Sequence, residues 1–296
     1  MKKIFPHLII IWVLIGLLLL SRSAFASHEV TPWRDNHPAA VSVTFDDGLL
    51  SQITEAVPRL NIRNLKGTFF VTTSSNQQVT WDQWRQVAGQ GHEIGSHSVT
   101  HRDPTTLSEA DLRWELSESQ TTINQNVPSQ SCVSFAYPYA ECNALVQAVT
   151  SEYYIAGRAA WSSAGGELNY YEDVPPDWKT VNFYDVGSQS IPEANPSISD
   201  IDSNLNLAIQ NHAWLDMHFH DILDTNFFAA VLDDLLSKNV WIDTFGSVVR
   251  YMRERMSSTL TVLSGGSTEI KLDLTHSLDN SIYNQPLTIR STIPSN

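Results

Sequence analysis

The sequence is poor in positive charge. Lysine and arginine total 18 of 296 residues, against 32 aspartates and glutamates, and the formal net charge is −14. An acidic surface argues against nucleic acid and anionic membranes as partners, because both carry dense negative charge. The chain also contains no internal repeat and no low-complexity tract. The composition therefore suits a globular protein with a neutral or cationic substrate.

Cysteine is scarce as well, with Cys132 and Cys142 the only two in the chain. The favoured interpretation is one disulfide that closes a short loop and contributes ~2–3 kcal/mol, because an oxidising compartment penalises free thiols. A thiol nucleophile is the alternative. The bridge would bracket Phe135–Tyr139 and hold that loop in place.

Long apolar runs are limited to the N-terminus. Lys2 and Lys3 precede an apolar run from Leu8 to Leu20, and Ala24-Phe25-Ala26 has the small-x-small pattern of a cleavage site. Thirteen residues are short for a membrane span, which favours a cleaved secretory signal at residues 1–26 over an uncleaved anchor. The mature chain would begin near Ser27 with a net charge of about −17, in a secreted or periplasmic protein.

From Ala40 to about Ser257, short apolar runs alternate with amphipathic stretches. This alternation predicts a parallel sheet covered by helices. Seven such units predict a closed or nearly closed barrel, with an open sheet as the alternative. The predicted strands are Val41–Phe45, Gly67–Thr72, Glu93–Ser96, Val133–Tyr137, Tyr154–Arg158, Trp214–Phe219 and Val240–Thr244. The predicted helices lie near Ser51–Val57, Thr80–Ala88, Ser108–Asn124, Asn143–Ser151, Asp202–Gln210, Asn226–Lys238 and Ser247–Met256.

Two segments depart from this alternation. Residues 159–201 show no clear periodicity but are rich in aromatic side chains, which argues for an ordered loop. After Ser257 the pattern becomes one of alternating apolar and polar residues, which predicts a small β-rich segment at 258–296 with three strands: Thr259–Leu263, Ser267–Thr275 and Leu287–Thr292. Three strands are barely enough to form an independently stable unit, so the segment either packs on the barrel or is a remnant of a larger module.

The first predicted strand ends in two adjacent carboxylates, Asp46 and Asp47, followed by Gly48. Such a sequence predicts a turn. Successive residues at a strand end point in opposite directions, so one carboxylate can face a metal while the other faces a reacting water. Two neighbouring carboxylates repel each other, and a nearby cation is therefore expected. Without a second motif, an Asp-Asp-Gly sequence of this kind is most often an ordinary solvent-exposed turn.

A second motif changes that interpretation. His97 and His101 are four residues apart, which predicts two imidazoles on one face of a helical turn. With one carboxylate from elsewhere they form a two-histidine, one-carboxylate site with open coordination positions. In a barrel, functional residues lie at the carboxyl ends of the strands. The chemically interesting residues all follow predicted strands and so fall on that rim: Asp46, Asp47, His97, Tyr139, His218 and His220.

Four segments carry a family resemblance: Thr44–Gly48, Ser96–His101, Phe135–Tyr139 and Met217–Asp221. On these the chain resembles the polysaccharide deacetylase family, the chitooligosaccharide deacetylase-like carbohydrate esterases. The resemblance implies a distorted (β/α)7 barrel followed by the small C-terminal β appendage, with residues 27–257 as the catalytic domain. It also implies a secreted, metal-dependent hydrolase that removes N-acetyl or O-acetyl groups from a polysaccharide or oligosaccharide.

The resemblance assigns roles to the first two motifs. Asp47, His97 and His101 would hold one divalent metal, usually zinc in such enzymes. Asp46 would be the general base for a water that the metal activates and that attacks the acetyl carbonyl.

The resemblance also assigns roles to residues in the last two motifs, although the chain differs from the family pattern at two points. The backbone N–H of Tyr139 would help to hold the oxyanion, and His220 would protonate the leaving group. The family often has an arginine at the position of Ala136, where it steadies the base, and Arg158 after the next strand is the candidate substitute. His218 shares a strand face with His220, but His220 fits the family pattern better, so His218 is predicted to be buried and hydrogen-bonded.

The implied partner is an acetylated glycan: a chitin oligosaccharide, peptidoglycan, an exported N-acetylglucosamine polymer or an acetylated plant polysaccharide. A monomer is expected, without nucleic acid and without a membrane after signal cleavage. The alternative is a non-catalytic carbohydrate-binding protein on a deacetylase scaffold, with the departure at Ala136 as its main support.

Overall fold

The computed structural model describes residues 27–74, 78–160, 168–169, 181–265 and 269–292. The predicted signal at 1–26 and residues 161–167 and 170–180 of the aromatic-rich segment lie outside the described residues. Within these ranges, every helix is too short or too polar to span a lipid bilayer.

The described strands and helices follow the predicted alternation. The strands are β1 (Ser27–Val30), β2 (Ala40–Phe45), β3 (Thr68–Val71), β4 (Glu93–Ser96), β5 (Ser134–Ala136), β6 (Ala156–Arg158), β7 (Leu168–Asn169), β8 (Gln189–Ser190), β9 (Trp214–Phe219), β10 (Trp241–Ile242), β11 (Thr259–Gly265), β12 (Ile270–Thr275) and β13 (Ile289–Thr292). The helices are α1 (Val57–Ile62), α2 (Trp81–Gly89), α3 (Glu109–Asn126), α4 (Ala144–Thr150), α5 (Ile198–Gln210), α6 (Thr225–Ser237) and α7 (Phe245–Ser257). All seven predicted strands are present, and six predicted helices are present with shifts of a few residues at their ends. The predicted helix at Ser51–Val57 is a short π-helix, Gln52–Ala56, that continues into α1.

The main sheet is a curled layer of parallel strands in the order β6-β5-β4-β3-β2-β9. The short β10 pairs with the beginning of β2. Every residue of β2, β3, β4 and β9 is buried, as expected of parallel strands that are covered on both faces. The architecture is the distorted (β/α)7 barrel that the family resemblance implied.

Residues 181–191 fill the gap between the two outer strands of this sheet. The N–H of Gly157 in β6 donates to the Phe183 carbonyl at 2.8 Å, and the N–H of Ala159 donates to the Val186 carbonyl at 2.8 Å. Further along, β8 pairs in parallel with β9. This segment brings β6 and β9 together around the barrel axis, although it carries no strand periodicity in the sequence.

The amino end of the barrel is filled by aromatic side chains. Phe70 and Trp214 both pack against Phe245, with ring centroids 5.6 and 5.0 Å apart. The apolar residues on the other face of the strands pack against the surrounding helices: Phe45 contacts Phe228 of α6, and Phe69 contacts Trp84 of α2. These aromatic side chains close the interior at its amino end, and the polar residues above Phe70, such as Arg158, lie between this layer and the carboxyl rim.

Thr80 and Ser108, the first residues of two predicted helices, act as N-caps. Thr80 forms a capping box with Gln83, and the Ser108 hydroxyl accepts from the Asp111 N–H at 3.2 Å. These caps satisfy backbone donors that the first helical turn leaves free. They fix where α2 and α3 begin, and α3 contributes to the site described below.

The C-terminal segment differs from the predicted three-stranded unit. β11 and β12 form an antiparallel hairpin, but β13 pairs with β1 at the opposite end of the chain. The segment also packs on the barrel, because Ile282, Tyr283 and Leu287 contact its lower apolar cluster. β1 was not predicted because its sequence, Ser-His-Glu-Val, contains only one apolar residue and none of its residues is fully buried.

The predicted disulfide is wrong, because Cys132 and Cys142 are both free. Cys132 precedes β5 and is buried, with its thiol directed to the Ser134 carbonyl at 3.9 Å. Cys142 follows β5, and its thiol lies 3.6 Å from the Asp185 carboxylate. A three-residue strand spans roughly 10 Å, whereas bridged cysteines have Cα atoms within ~7 Å of each other. Burial raises the pKa of the Cys132 thiol well above its usual range, so this thiol is also a poor nucleophile.

Candidate metal and catalytic site

The first predicted motif forms a turn at the end of β2. The N–H of Asp46 donates to the Phe219 carbonyl at 2.9 Å, which continues the ladder with β9. Asp47 and Gly48 then adopt left-handed backbone conformations with φ of 72° and 70°. Asp46 is 4% exposed, whereas the Asp47 side chain is 32% exposed. The two carboxylates therefore occupy different environments, as their opposite directions predicted.

The second motif is a loop after β4, and the predicted helical turn is wrong. The N–H of His97 donates to the Val71 carbonyl at 2.9 Å at the end of the neighbouring strand. Ser98 and His101 have φ of 67° and 58°, which a helical turn does not contain. The Ser98 hydroxyl accepts from the His101 N–H at 3.0 Å and closes the loop. These left-handed residues, rather than helical periodicity, bring the two imidazoles together.

Glu115 of α3 fixes this loop from beneath. Its carboxylate accepts from the N–H groups of Val99 and Thr100 at 2.8 and 2.9 Å, and from the Thr100 hydroxyl. Glu115 is 2% exposed, so these bonds form away from solvent. Sequence reasoning missed Glu115, although a glutamate between Leu112 and Leu116 on the apolar face of a helix is an available signal.

The side chains of Asp47, His97 and His101 converge on one point. The two Nε2 atoms are 3.1 Å apart, and Asp47 Oδ1 lies 3.5 Å from His97 Nε2 and 3.3 Å from His101 Nε2. Tetrahedral ligands at ~2.0–2.1 Å from a zinc ion are separated by about 3.3 Å, so the set fits such an ion.

The protonation state of His97 also fits a metal ligand. Its Nδ1 lies 2.8 Å from the Ala136 carbonyl, which can only accept, so Nδ1 carries the proton and Nε2 presents a lone pair to the centre. Burial lowers the pKa of His97, which favours the neutral imidazole that a metal requires.

Arg158 reaches the buried carboxylate of Asp46. Its Nη2 donates to Asp46 Oδ2, and the guanidinium lies over the Phe70 ring at 5.4 Å from the centroid. Arg158 stands directly opposite Ala136 in the pairing of β5 with β6. The predicted substitute for the missing arginine is therefore in contact with Asp46, one strand away from the family position.

Asp46 is held in its ionised form. Burial alone would raise its pKa, but the positive charge of Arg158 lowers the pKa well below the usual range. The folded-state pKa is thus below the unfolded one, so this pair stabilises the fold above about pH 4 and the effect is lost only as pH falls through the folded pKa. Asp46 Oδ1 is buried and has no hydrogen-bond partner among the described residues, so its lone pairs are unused.

The prediction that His218 is buried and hydrogen-bonded is confirmed. His218 is 5% exposed, and its Nδ1 lies 2.8 Å from the Ser188 hydroxyl. Burial, with the charge of Arg158, lowers the pKa of His218 to about 3, so it is neutral at pH 7. His220 lies at the partly exposed rim, with its ring 5.8 Å from that of His218.

A buried carboxylate, Asp216, lies below His218 on the same face of β9 and was not predicted. It is fully buried and accepts from the Thr44 hydroxyl at 3.3 Å. Burial raises the pKa of Asp216 to about 7, and the negative charge of Asp46 acts in the same direction. An aspartate within an apolar strand was the available signal.

Tyr139 lies on the rim beside the predicted metal ligands. It has φ of 60° and is followed by Ala140 with φ of 59°, so the chain turns sharply after β5. The Tyr139 ring is 66% exposed and stands edge-to-face against His101, with the centroids 4.8 Å apart. The turn therefore places Tyr139 next to His101, at the edge of the cluster.

Residues 34–156 match the model of a protein family described as polysaccharide deacetylase. Over this part of the chain the protein is similar to polysaccharide deacetylases. The matched range contains Asp46, Asp47, His97, His101 and Tyr139, whereas Arg158 and His220 lie beyond it.

Curated relatives are similar over parts of their length. A gellan lyase from Bacillus sp is 25% identical over 284 residues, which cover 88% of this chain and 11% of that protein. A chitin deacetylase from Pestalotiopsis sp is 29% identical over 111 residues, covering 36% of this chain and 37% of that enzyme. The chain thus spans about a tenth of the first relative and about a third of the second.

Two solved structures share the fold. A provisionally named polysaccharide deacetylase from Mycobacterium smegmatis superposes with a TM-score of 0.60 at 16% identity, covering 77% of this chain and 94% of that one. The chitin deacetylase of the fungal pathogen Colletotrichum lindemuthianum gives a TM-score of 0.52 at 20% identity, covering 72% of this chain and 88% of that one. At these identities the likeness concerns the polysaccharide deacetylase fold alone.

Proposed function

We propose that this protein is a metal-dependent deacetylase that hydrolyses acetyl groups of a polysaccharide or oligosaccharide, with residues 27–257 as its catalytic domain. The observation that carries the proposal is the convergence of Asp47, His97 and His101 within hydrogen-bonding distances of one another, next to the buried, ionised Asp46. A carbohydrate-binding protein needs no such combination of a ligand set and a base.

The ligand set is proposed to be Asp47, His97 and His101, with zinc as the expected metal. When bound, a divalent cation lowers the pKa of water towards ~7 and polarises a carbonyl group. The buried Glu115 keeps the histidine loop in place, and the Ala136 carbonyl keeps His97 in the tautomer that coordinates. Pre-organised ligands of this kind raise affinity, because less order is lost on binding.

Asp46 is proposed as the general base, and His220 as the general acid. Asp46 Oδ1 accepts a proton from the attacking water while Oδ2 remains paired with Arg158. Because the pKa of Asp46 is depressed, it is a weak base and suits a water that is already acidified. His220 at the rim then donates a proton to the departing amine, and the backbone N–H of Tyr139 is proposed to hold the oxyanion.

The non-catalytic alternative loses its main support. It rested on the missing arginine at Ala136, but Arg158 is paired with Asp46 from the neighbouring strand. The N-terminal apolar run supports export, so the expected substrate is an acetylated glycan outside the cytoplasm. N-acetyl and O-acetyl sugars both suit a site of this chemistry.

Acetate release is the experiment that tests this function. We expect the chain to release acetate from at least one member of a panel of N- and O-acetylated glycans, and to lose that activity when a chelator removes the metal. Adding zinc or another divalent ion should restore it. Release that is insensitive to chelator would contradict the metal-dependent mechanism, and no release after metal repletion would contradict the function.

Replacing Arg158 by methionine should shift the pH dependence of the reaction. Without the guanidinium, burial dominates and the pKa of Asp46 rises. Since only the ionised form acts as a base, the acidic limb of the kcat/KM profile should move to higher pH. Leaving the buried carboxylate unpaired should also lower the free energy of unfolding by ~3–5 kcal/mol.

Moving the arginine provides the matched control. The double variant Ala136→Arg, Arg158→Ala returns the guanidinium to the family position, directly across the β5–β6 pair. It should move the acidic limb back towards the wild-type pH, whereas Arg158→Ala alone should not. An acidic limb that stays in place in Arg158→Met would show that Arg158 does not set the pKa of the base.

A further inference from the structure

One buried side-chain amide joins the backbones of the proposed base and the proposed acid. The Nε2 of Gln52, a fully buried residue, donates to the Asp46 carbonyl and also to the His220 carbonyl, the latter at 3.1 Å. Gln52 is the first residue of a short π-helix, Gln52–Ala56, that follows the turn after β2. Short π-helical segments are rare, and those that occur are frequently found at functional sites.

These two bonds extend the sheet where its own pairing ends. β2 and β9 are paired up to Phe45 and Phe219, and the last ladder bond runs from the Asp46 N–H to the Phe219 carbonyl. The carbonyls of Asp46 and His220 lie beyond that bond. A buried carbonyl without a donor costs about 1–3 kcal/mol, and the primary amide of Gln52 has two hydrogens, one for each.

The neighbouring residue reinforces the connection. The Ser51 hydroxyl donates to the Asp221 carboxylate and accepts from the Ile222 N–H at 3.0 Å. The start of the π-helix is therefore tied to the segment immediately after His220 by both Ser51 and Gln52. The His220 carbonyl, the Asp221 carboxylate and the Ile222 N–H are therefore all bonded to this element.

We propose, on the basis of the function proposed above, that Gln52 is a positioning residue that fixes the spacing between Asp46 and His220. Each of its bonds is to the carbonyl of the reacting residue itself, one covalent bond from the Cα that carries the side chain. The base and the acid act on opposite sides of the scissile bond, so their separation must match the substrate. A displacement of about 1 Å in such an arrangement can reduce the rate by about a hundredfold.

Two substitutions test the proposal. Gln52→Glu keeps the shape but replaces the donor by an acceptor facing two carbonyls. Gln52→Met removes the donor without adding charge and serves if the glutamate variant does not fold. Each should lower kcat by about 10- to 100-fold, with KM within about twofold and with about one equivalent of metal retained. The loss should be greater on an N-acetyl than on an O-acetyl substrate, because only the amine leaving group depends strongly on protonation by His220.

Gln120 offers a matched control in the same chain. Its side-chain amide also donates to two backbone carbonyls, those of Cys132 and Tyr153, but these lie before β5 and β6, away from the rim. Gln120→Met should lower the unfolding temperature while leaving kcat and the ratio of N-acetyl to O-acetyl turnover unchanged. This comparison separates positioning of the reacting groups from general stability.

The outcomes are distinguishable. If the wild type deacetylates and Gln52→Met has an unchanged kcat, or an unchanged ratio of N-acetyl to O-acetyl turnover, the inference about Gln52 is overturned and the proposed function stands. Equal losses of kcat in the Gln52 and Gln120 variants would also overturn it. If the metal-repleted wild type releases no acetate from any substrate, the proposed function fails first, and the inference fails with it.

Discussion

Asp46→Asn is expected to retain its metal and to lose two to four orders of magnitude in kcat. The carboxylate is not among the converging ligands, and its Oδ2 is occupied by Arg158. An asparagine has nearly the same shape but cannot take a proton from water, which removes the general base and the ~10²–10⁴-fold that such a group contributes. Turnover with a metal-repleted sample, together with elemental analysis, measures both quantities.

The adjacent aspartate provides the control for this variant. Asp47→Asn should weaken metal binding, because a carboxylate ligand is replaced by a neutral amide, and excess metal should restore part of the activity. The two variants therefore separate loss of the base from loss of a ligand. If Asp46→Asn releases the metal while Asp47→Asn retains it, the two roles have been assigned in reverse.

The double variant His97→Ala, His101→Ala should change the metal content from about one equivalent to none. The two Nε2 atoms are 3.1 Å apart and face Asp47, so their removal leaves a single carboxylate, which does not hold zinc under dilute conditions. Elemental analysis after metal repletion and gel filtration gives the metal content directly, without reference to activity. Deacetylation should be abolished in the same sample.

His37→Ala is the matched control for that experiment. His37 lies near the amino end of β2, where its Nδ1 is 3.2 Å from the Asn239 carbonyl, far from the proposed ligands in the fold. Its replacement should leave one equivalent of metal in place. Stoichiometric metal that persists in the double histidine variant would mean that the ion is bound elsewhere.

The parts of the fold that sequence predicted are those with a local signal. The buried strands β2 and β9 are short apolar runs between turn residues, and each is followed by polar side chains. Because parallel strands present their carboxyl ends at one edge, locating the strands also located Asp46, His97 and His220 on one rim. The position of Arg158 followed from the same reasoning, one strand further along.

What sequence could not predict depends on contacts between distant segments or on unusual backbone conformations. Gln52 and Glu115 act on carbonyls and N–H groups of other elements, and no periodic pattern marks such a contact. The convergence of His97 and His101 depends on positive φ at Ser98, which is rare for a residue other than glycine. The disulfide prediction failed because spacing along the chain does not reveal that β5 lies between the two thiols.

The pairing of Ala136 with Arg158 has a consequence for reading related sequences. Two positions that are 22 residues apart in the chain are a single pair of neighbours in space, and one guanidinium can be contributed from either of them. An alignment column that lacks arginine therefore does not by itself identify an inactive homologue. The column of Ala136 should be read together with the column of its cross-strand partner, Arg158. A related sequence should be classed as inactive on this ground only if arginine is absent from both positions.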